Sequence, residues 1–294
     1  MYRKLWFLAV VIILGSCKES SKKEQGNLAR PIAEVFAEFY EFKKGINPIE
    51  ATKAGYYEYN DTIANYISDD YILHLKDRYT YFLEELGKYD STQISAEDYM
   101  SLRVMQWDCN VKLEGVMNPM VTVASPIYDL PSFELMPLFQ IQSLHLYVAQ
   151  LAGGTSVQPF KSIEDYNNWL SRLEDYLIFL NTSIAKMKVG MDKGIVLPKV
   201  LTLKMLPQVR SFIDVPLEDN LFFKPVLNFP DGISDVDMDI LKSNYEDFIQ
   251  EKLTPKYVEL NDFLTNEYLP KCRASSGLLD LPNGKETYKY LIKL

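Results

Sequence analysis

The chain has 294 residues, 47% hydrophobic and 24% charged, with a formal charge of −9. This composition excludes a disordered polypeptide and supplies enough apolar surface for one large core or two modest ones. The acidic balance argues against a nucleic-acid partner, which would need a concentrated basic face.

Arg3 and Lys4 precede an apolar run from Leu5 to Leu14, and the run closes in Leu14-Gly15-Ser16-Cys17. A basic start, a short apolar stretch and a small-residue end follow the order of an export signal, too short for a stable membrane span. The closing tetrapeptide resembles a lipobox, which implies cleavage before Cys17 and lipidation of its thiol. Several acyl chains on one residue anchor durably where a single chain does not. Residues 1–16 are thus expected to form a lipoprotein signal peptide, and the polar stretch 17–27 a flexible spacer. Residues 28–294 are expected to form the folded body. The expected location is the bacterial cell envelope, at the periplasmic or surface face of the outer membrane, with the membrane a partner through Cys17. A plain secretory signal, or a buried N-terminal helix with a chance cysteine, is the alternative. No second apolar run is long enough to span a bilayer.

The body reads as an all-α, multi-helix bundle-like domain. Ile72, Leu75, Tyr79, Phe82 and Leu86 alternate three- and four-residue steps, as do Leu102, Met105, Cys109, Leu113 and Val116. The longest stripe runs Tyr166, Leu170, Leu173, Leu177, Leu180, Ile184 and Met187. It fits intrachain bundle packing better than a coiled-coil seam, because flanking charges are sparse. A further stripe runs Met238, Leu241, Tyr245 and Phe248, then Tyr257, Leu260 and Leu264. Ser68, Ser95, Ser162 and Ser234 each precede acidic residues, as N-caps do. Gly190 and Gly194 close the long helix and Pro198 opens the next. Pro255 should kink or split the last stripe. Prolines 119, 126, 131 and 137 make 118–139 an extended excursion, and prolines 216, 225 and 230 make 215–232 a second one.

With Cys17 assigned to lipid, Cys109 and Cys272 remain. Cys109 falls on an apolar stripe and fits a buried free thiol, although an exported protein could bridge the two. The two histidines, His74 and His145, lack any His-Glu-x-x-His arrangement and read as partly buried helical residues rather than zinc ligands. Asp235, Asp237, Asp239 and Glu246 match four ligand positions of a calcium loop, but Ile240 stands where that loop needs glycine. A capped helix start explains them better. Gly154-Thr155-Ser156-Val157-Gln158 starts like a nucleophile elbow but ends in glutamine, with no strand before it. No catalytic, cofactor-binding or metal-ligating residue is assigned within the chain.

Several segments in order carry a family resemblance. They are Asn47-Pro48 with Ala51-Thr52, Gly55 and Tyr59; Gln158-Pro159-Phe160; Asp165-Tyr166, Trp169-Leu170 and Arg172-Leu173. Gly194, Val196-Leu197-Pro198 and Leu206-Pro207 follow. The last are Tyr268-Leu269-Pro270, Gly277, Leu281-Pro282, Gly284, Tyr288 and Tyr290-Leu291. Together they resemble the N-terminal half of the bacterial domain of unknown function 885, from residue 30 onward. The resemblance implies a mostly helical, commonly exported or lipid-anchored protein similar to zinc-dependent peptidases. Its metal motif, of the His-Glu-x-x-x-Gly-His kind, would lie in a C-terminal half. There zinc would polarise a carbonyl and activate water, with the glutamate as general base. The sequence ends at Leu294 without that motif, so no zinc ligand can be carried over.

Two readings follow. In the first, the chain is the non-catalytic front half of a lipid-anchored metallohydrolase acting on peptides. It forms a cleft wall and supports a missing catalytic half or second chain. It would be inactive alone and would leave an apolar face uncovered. In the second, it is a non-enzymatic helical envelope lipoprotein binding a protein or small-molecule partner.

Overall fold

The computed structural model describes residues 30–123, 132–153 and 157–294. Helices begin where side chains can satisfy the amides of a first turn. Ser68, Ser95, Ser162 and Ser234 accept from Tyr71, Asp98, Asp165 and Asp237 respectively. They open α3 (Asp69–Leu86), α4 (Ala96–Val116), α6 (Ile163–Lys193) and α8 (Asp235–Phe248). Ahead of them lie α1 (Ile32–Ile46) and α2 (Pro48–Lys53), joined at Asn47, whose Oδ1 accepts from the Glu50 amide at 3.3 Å. Because Asp235 begins a helix capped by Ser234, the acidic run Asp235–Glu246 lies on α8 rather than around a loop.

Between α4 and α6 the proline-rich excursion forms a small antiparallel pair, β1 (Val121–Thr122) with β2 (Ser132–Phe133), and then α5 (Leu144–Ala152). Two residues per strand leave the architecture all-α. Thr122 ties this pair to the body by donating to the Tyr66 carbonyl at 2.7 Å.

At 31 residues α6 is the longest helix, about 46 Å from end to end. Its buried face is broader than a one-residue stripe. Trp169, Arg172, Tyr176 and Phe179 are buried along with Leu173, Leu180 and Met187, while Leu170 and Leu177 are half-buried at its margin. A helix that is packed on more than one side needs such width. Gly194 ends it in a left-handed conformation, φ 69°, and the Ile195 amide returns to the Gly190 carbonyl at 2.8 Å. Pro198 then precedes α7 (Lys199–Arg210), whose start is held by Lys199 donating to the Arg273 carbonyl at 2.8 Å.

The last stripe is split just ahead of Pro255, as the proline requires: a π-turn at Ile249–Leu253 separates α8 from α9 (Thr254–Asp262), while the backbone stays helical across the junction. There the Thr254 amide bonds the Ile249 carbonyl five residues back. The register shift places Pro255 in a new first turn, where a missing N–H costs little. A second π-stretch, Phe263–Tyr268, follows. After a loop, α10 (Gly284–Leu291) supplies the amphipathic C-terminal helix.

Two apolar cores result. One gathers around α6, α7, α8 and α9; the other joins α1, α3 and α4 with Tyr290 of α10. Cys109 lies in the second and Cys272 packs against the first, so both are free thiols and the bridge is not formed. Burial pushes the Cys109 thiol up to about 12, whereas Cys272 is half-buried beside the Thr202 hydroxyl at 3.1 Å.

Candidate functional site

The chemically most unusual residue is Arg172, fully buried on the inward face of α6. Its Nε donates to the Thr62 carbonyl at 2.9 Å and Nη2 to Thr52 Oγ1 at 2.9 Å. Nη2 also reaches the Tyr59 carbonyl, and Nη1 the Gln158 Oε1. These acceptors are neutral. Removing a cation from water costs several kcal/mol, offset here by carbonyl dipoles aimed at the guanidinium fork. Burial pulls Arg172 down to about 10, against the attraction of nearby Asp61, so it stays charged at neutral pH. Farther along α6, Asp175 accepts from the Ile63 amide at 3.0 Å and Thr182 from Asn65 Nδ2 at 2.8 Å. One helix thereby fixes the whole segment from Thr52 to Asn65.

Gln158 links this clamp to a cavity of about 710 Å³ lined by Tyr57, Phe160, Lys161, Tyr166, Lys224 and Phe229 among others. Its Oε1 is held by Arg172, and its buried Nε2 has no partner among the described residues. The aromatic wall is rigid: Tyr166 packs against Phe160 and Phe229 with ring centroids 5.4 and 5.1 Å away. The Tyr166 hydroxyl donates to the Pro225 carbonyl at 3.3 Å, and its own carbonyl accepts from Tyr245 at 3.0 Å. Exposed Lys161 and Lys224 stand at the rim. Aromatic faces beside ammonium donors suit an extended ligand with carbonyl or carboxylate acceptors. A smaller cavity of about 300 Å³ lies between α1 and α2. There the Tyr40 and Tyr56 hydroxyls meet at 2.9 Å and Lys44 Nζ sits 4.1 Å from the Tyr56 ring centre.

The two histidines differ from one another. His145 is fully buried, with Nδ1 2.9 Å from Ser143 Oγ and Nε2 without a partner among the described residues. Burial lowers it to about 4, so the ring is neutral at pH 7. His74, read from sequence as partly buried, is exposed on α3 next to buried Leu75, its ring centre 6.0 Å from that of Phe42. Among the described residues no group of three or more His, Cys, Asp or Glu side chains converges to hold a metal. Cys17 and the Gly154-Thr155-Ser156 segment lie outside the described residues.

Nothing in the sequence assigns a role to Arg172, Lys224 or Phe229, and Gln158 stands out only as the residue that spoils a nucleophile elbow and as part of the Gln158-Pro159-Phe160 motif. A signal for Arg172 was present. Trp169, Arg172, Leu173 and Tyr176 are spaced i, i+3, i+4, i+7, which puts the arginine on the apolar face.

The family model for a bacterial protein of unknown function (DUF885) matches residues 48–294. No curated protein matches the chain. A crystal structure described as that of "the putative lipoprotein from Colwellia psychrerythraea" shares the fold, with a TM-score of 0.71 at 15% sequence identity. The match covers 88% of this chain and 44% of that one, so this chain spans less than half the length of its structural neighbour.

Proposed function

Since the chain belongs to the DUF885 family of bacterial proteins, we propose that it is the helical, non-catalytic front part of an exported, lipid-anchored metallohydrolase acting on peptides. Cys17 holds it at the outer membrane, and the cavity beside Gln158 forms part of the substrate-facing wall. Zinc chemistry would belong to a C-terminal part carrying a His-Glu motif, as the resemblance to zinc-dependent peptidases implies.

The observation that carries this reading is the structural match. Nearly the whole described body superposes on less than half of a chain described as a lipoprotein. Two features agree with it. The wall at Gln158 offers packed aromatic faces beside the amines of Lys161 and Lys224. An apolar face on α4 is left bare, as expected where a neighbouring part is to pack.

Sequencing the gene past codon 294 and assaying peptide hydrolysis test the proposal together. An open frame entering a His-Glu motif is expected, with the 294-residue chain inert toward peptides with or without added zinc and the longer polypeptide active. A stop codon directly after Leu294 with no such frame nearby, or zinc-dependent hydrolysis by the 294-residue chain alone, would overturn it. The stop codon would favour the second reading, a helical envelope lipoprotein that binds a partner.

A further inference from the structure

Helix α4 is apolar on two opposite faces, and only one of them is fully covered. Leu102, Met105 and Cys109 are buried in the core shared with α1 and α3. On the other side Met100, Val104 and Trp107 are 65%, 59% and 56% exposed. With Val111 they follow four-, three- and four-residue steps, which align them in one row along the helix. Val111, the last of the row, is buried.

The end of α4 beyond Val111 is where α10 docks. Gly115 admits Tyr290 so closely that a Cβ there would stand 2.1 Å from the phenol oxygen. Thr287 donates to Asn118 Oδ1 at 3.4 Å, and Lys293 pairs with Glu114 at 2.6 Å. As the chain advances from Thr287 and Tyr290 of α10 to Lys293 just past its end, its partners recede from Asn118, just past α4, to Gly115 and Glu114 within it. The contacts thus run in opposite chain directions, and the end of α10 heads back from the C-terminus of α4 toward the row that closes in Val111. Ile292 and Leu294, at its leading end, are 68% and 45% exposed.

We infer that the row Met100–Val104–Trp107 seats a helix that prolongs α10 antiparallel to α4, supplied by the polypeptide following Leu294 in a longer form of this protein. The inference rests on the proposed function, which places further chain there. That segment should be amphipathic, with apolar residues at three- and four-residue steps continuing the row begun by Tyr290. Exposed Glu97, one turn before Met100, and Glu114, already paired with Lys293, call for basic residues along its flank. The same carboxylates disfavour an anionic lipid surface as the occupant.

Hydroxyl-radical footprinting tests this on the protein isolated from its own membrane in mild detergent, beside the 294-residue chain expressed alone. Trp107 and Met100 are the reporters, and fully buried Trp169 is the internal reference. The expected result is a native polypeptide longer than 294 residues in which both reporters oxidise several-fold more slowly than in the shorter chain. Val104→Asp should leave the stability of the 294-residue chain almost unchanged and lower that of the longer one. A longer polypeptide with reporters still reactive overturns the inference while leaving the proposed function standing. Protection lost on dilution to monomer assigns the row to a second copy, and protection present only in the intact membrane assigns it to lipid; either overturns the inference. A native polypeptide ending at Leu294 overturns both.

Discussion

Arg172 on α6 and Thr52 on α2 meet at 2.9 Å across 120 residues of chain, while the Thr52 hydroxyl donates onward to the Pro48 carbonyl at 3.0 Å. The pair joins the first short helix after α1 to the central helix of the larger core. It also orients Gln158 at the candidate cavity.

Replacing that arginine strands its acceptors in a dry site. Arg172→Met leaves the Thr62 and Tyr59 carbonyls and Gln158 Oε1 without donors, and should lower the unfolding free energy by about 3 kcal/mol or more. Arg172→Lys should recover little, because three donors on a point-like ammonium cannot reproduce the fork. Urea unfolding at constant slope measures both. A loss under about 1 kcal/mol in the methionine variant would contradict the clamp.

His145 predicts an acid limb in the stability profile. Its folded-state value of about 4 lies below the ordinary 6.5, so between those values the unfolded chain binds more protons. Stability is therefore full above about pH 6.5 and falls as the pH drops toward 4, by roughly 3 kcal/mol from this residue. His145→Gln should flatten the profile in that window. Equal slopes in the two proteins would show that the imidazole does not titrate as its burial requires.

Two glycines give opposite outcomes on mutation to alanine. At Gly190 a Cβ would stand 2.6 Å from the Ile195 carbonyl oxygen and 2.8 Å from that of Leu135, both backbone atoms with little room to yield. Gly190→Ala should cost about 2 kcal/mol. Gly45, inside α1, has open space where an alanine Cβ would stand, with nothing within 4 Å, and Gly45→Ala should stabilise by up to about 1 kcal/mol. Thermal or urea midpoints that move in the same direction for both would argue against the close packing at the end of α6.

Thiol chemistry separates the two cysteines of the body. Without reductant, the folded protein should expose Cys272 to a thiol reagent slowly and Cys109 not at all. Both should react once the chain is unfolded. Failure of both to react in denaturant would indicate the disulfide that the structure lacks.

How much was legible in the sequence depended on how local the cause was. Serine caps act within three residues, and all four sequence-assigned caps stand at helix starts. The stripe on α3 likewise needs only periodicity, and its Leu75, Tyr79, Phe82 and Leu86 are buried. Pro255 marks where the last stripe splits, but the form of that split, a π-turn just before it, depends on hydrogen-bond register that composition does not reveal. Arg172 was harder still: two of its four acceptors are backbone carbonyls more than a hundred residues away, and carbonyls carry no sequence signature. Lys224 and Phe229 reach the candidate cavity from the second proline-rich break, where neither helical nor strand periodicity predicts which way a side chain faces.

Everything proposed for this protein begins at its anchor, Cys17. The decisive measurement is the mass of the N-terminal peptide of the mature protein taken from its native membrane. The predicted result is a chain beginning at Cys17 and carrying acyl and glyceryl groups on that residue, with the modification and the membrane association both lost in Cys17→Ser. An unmodified peptide that retains residues 1–16, or one that begins elsewhere without lipid, would contradict it.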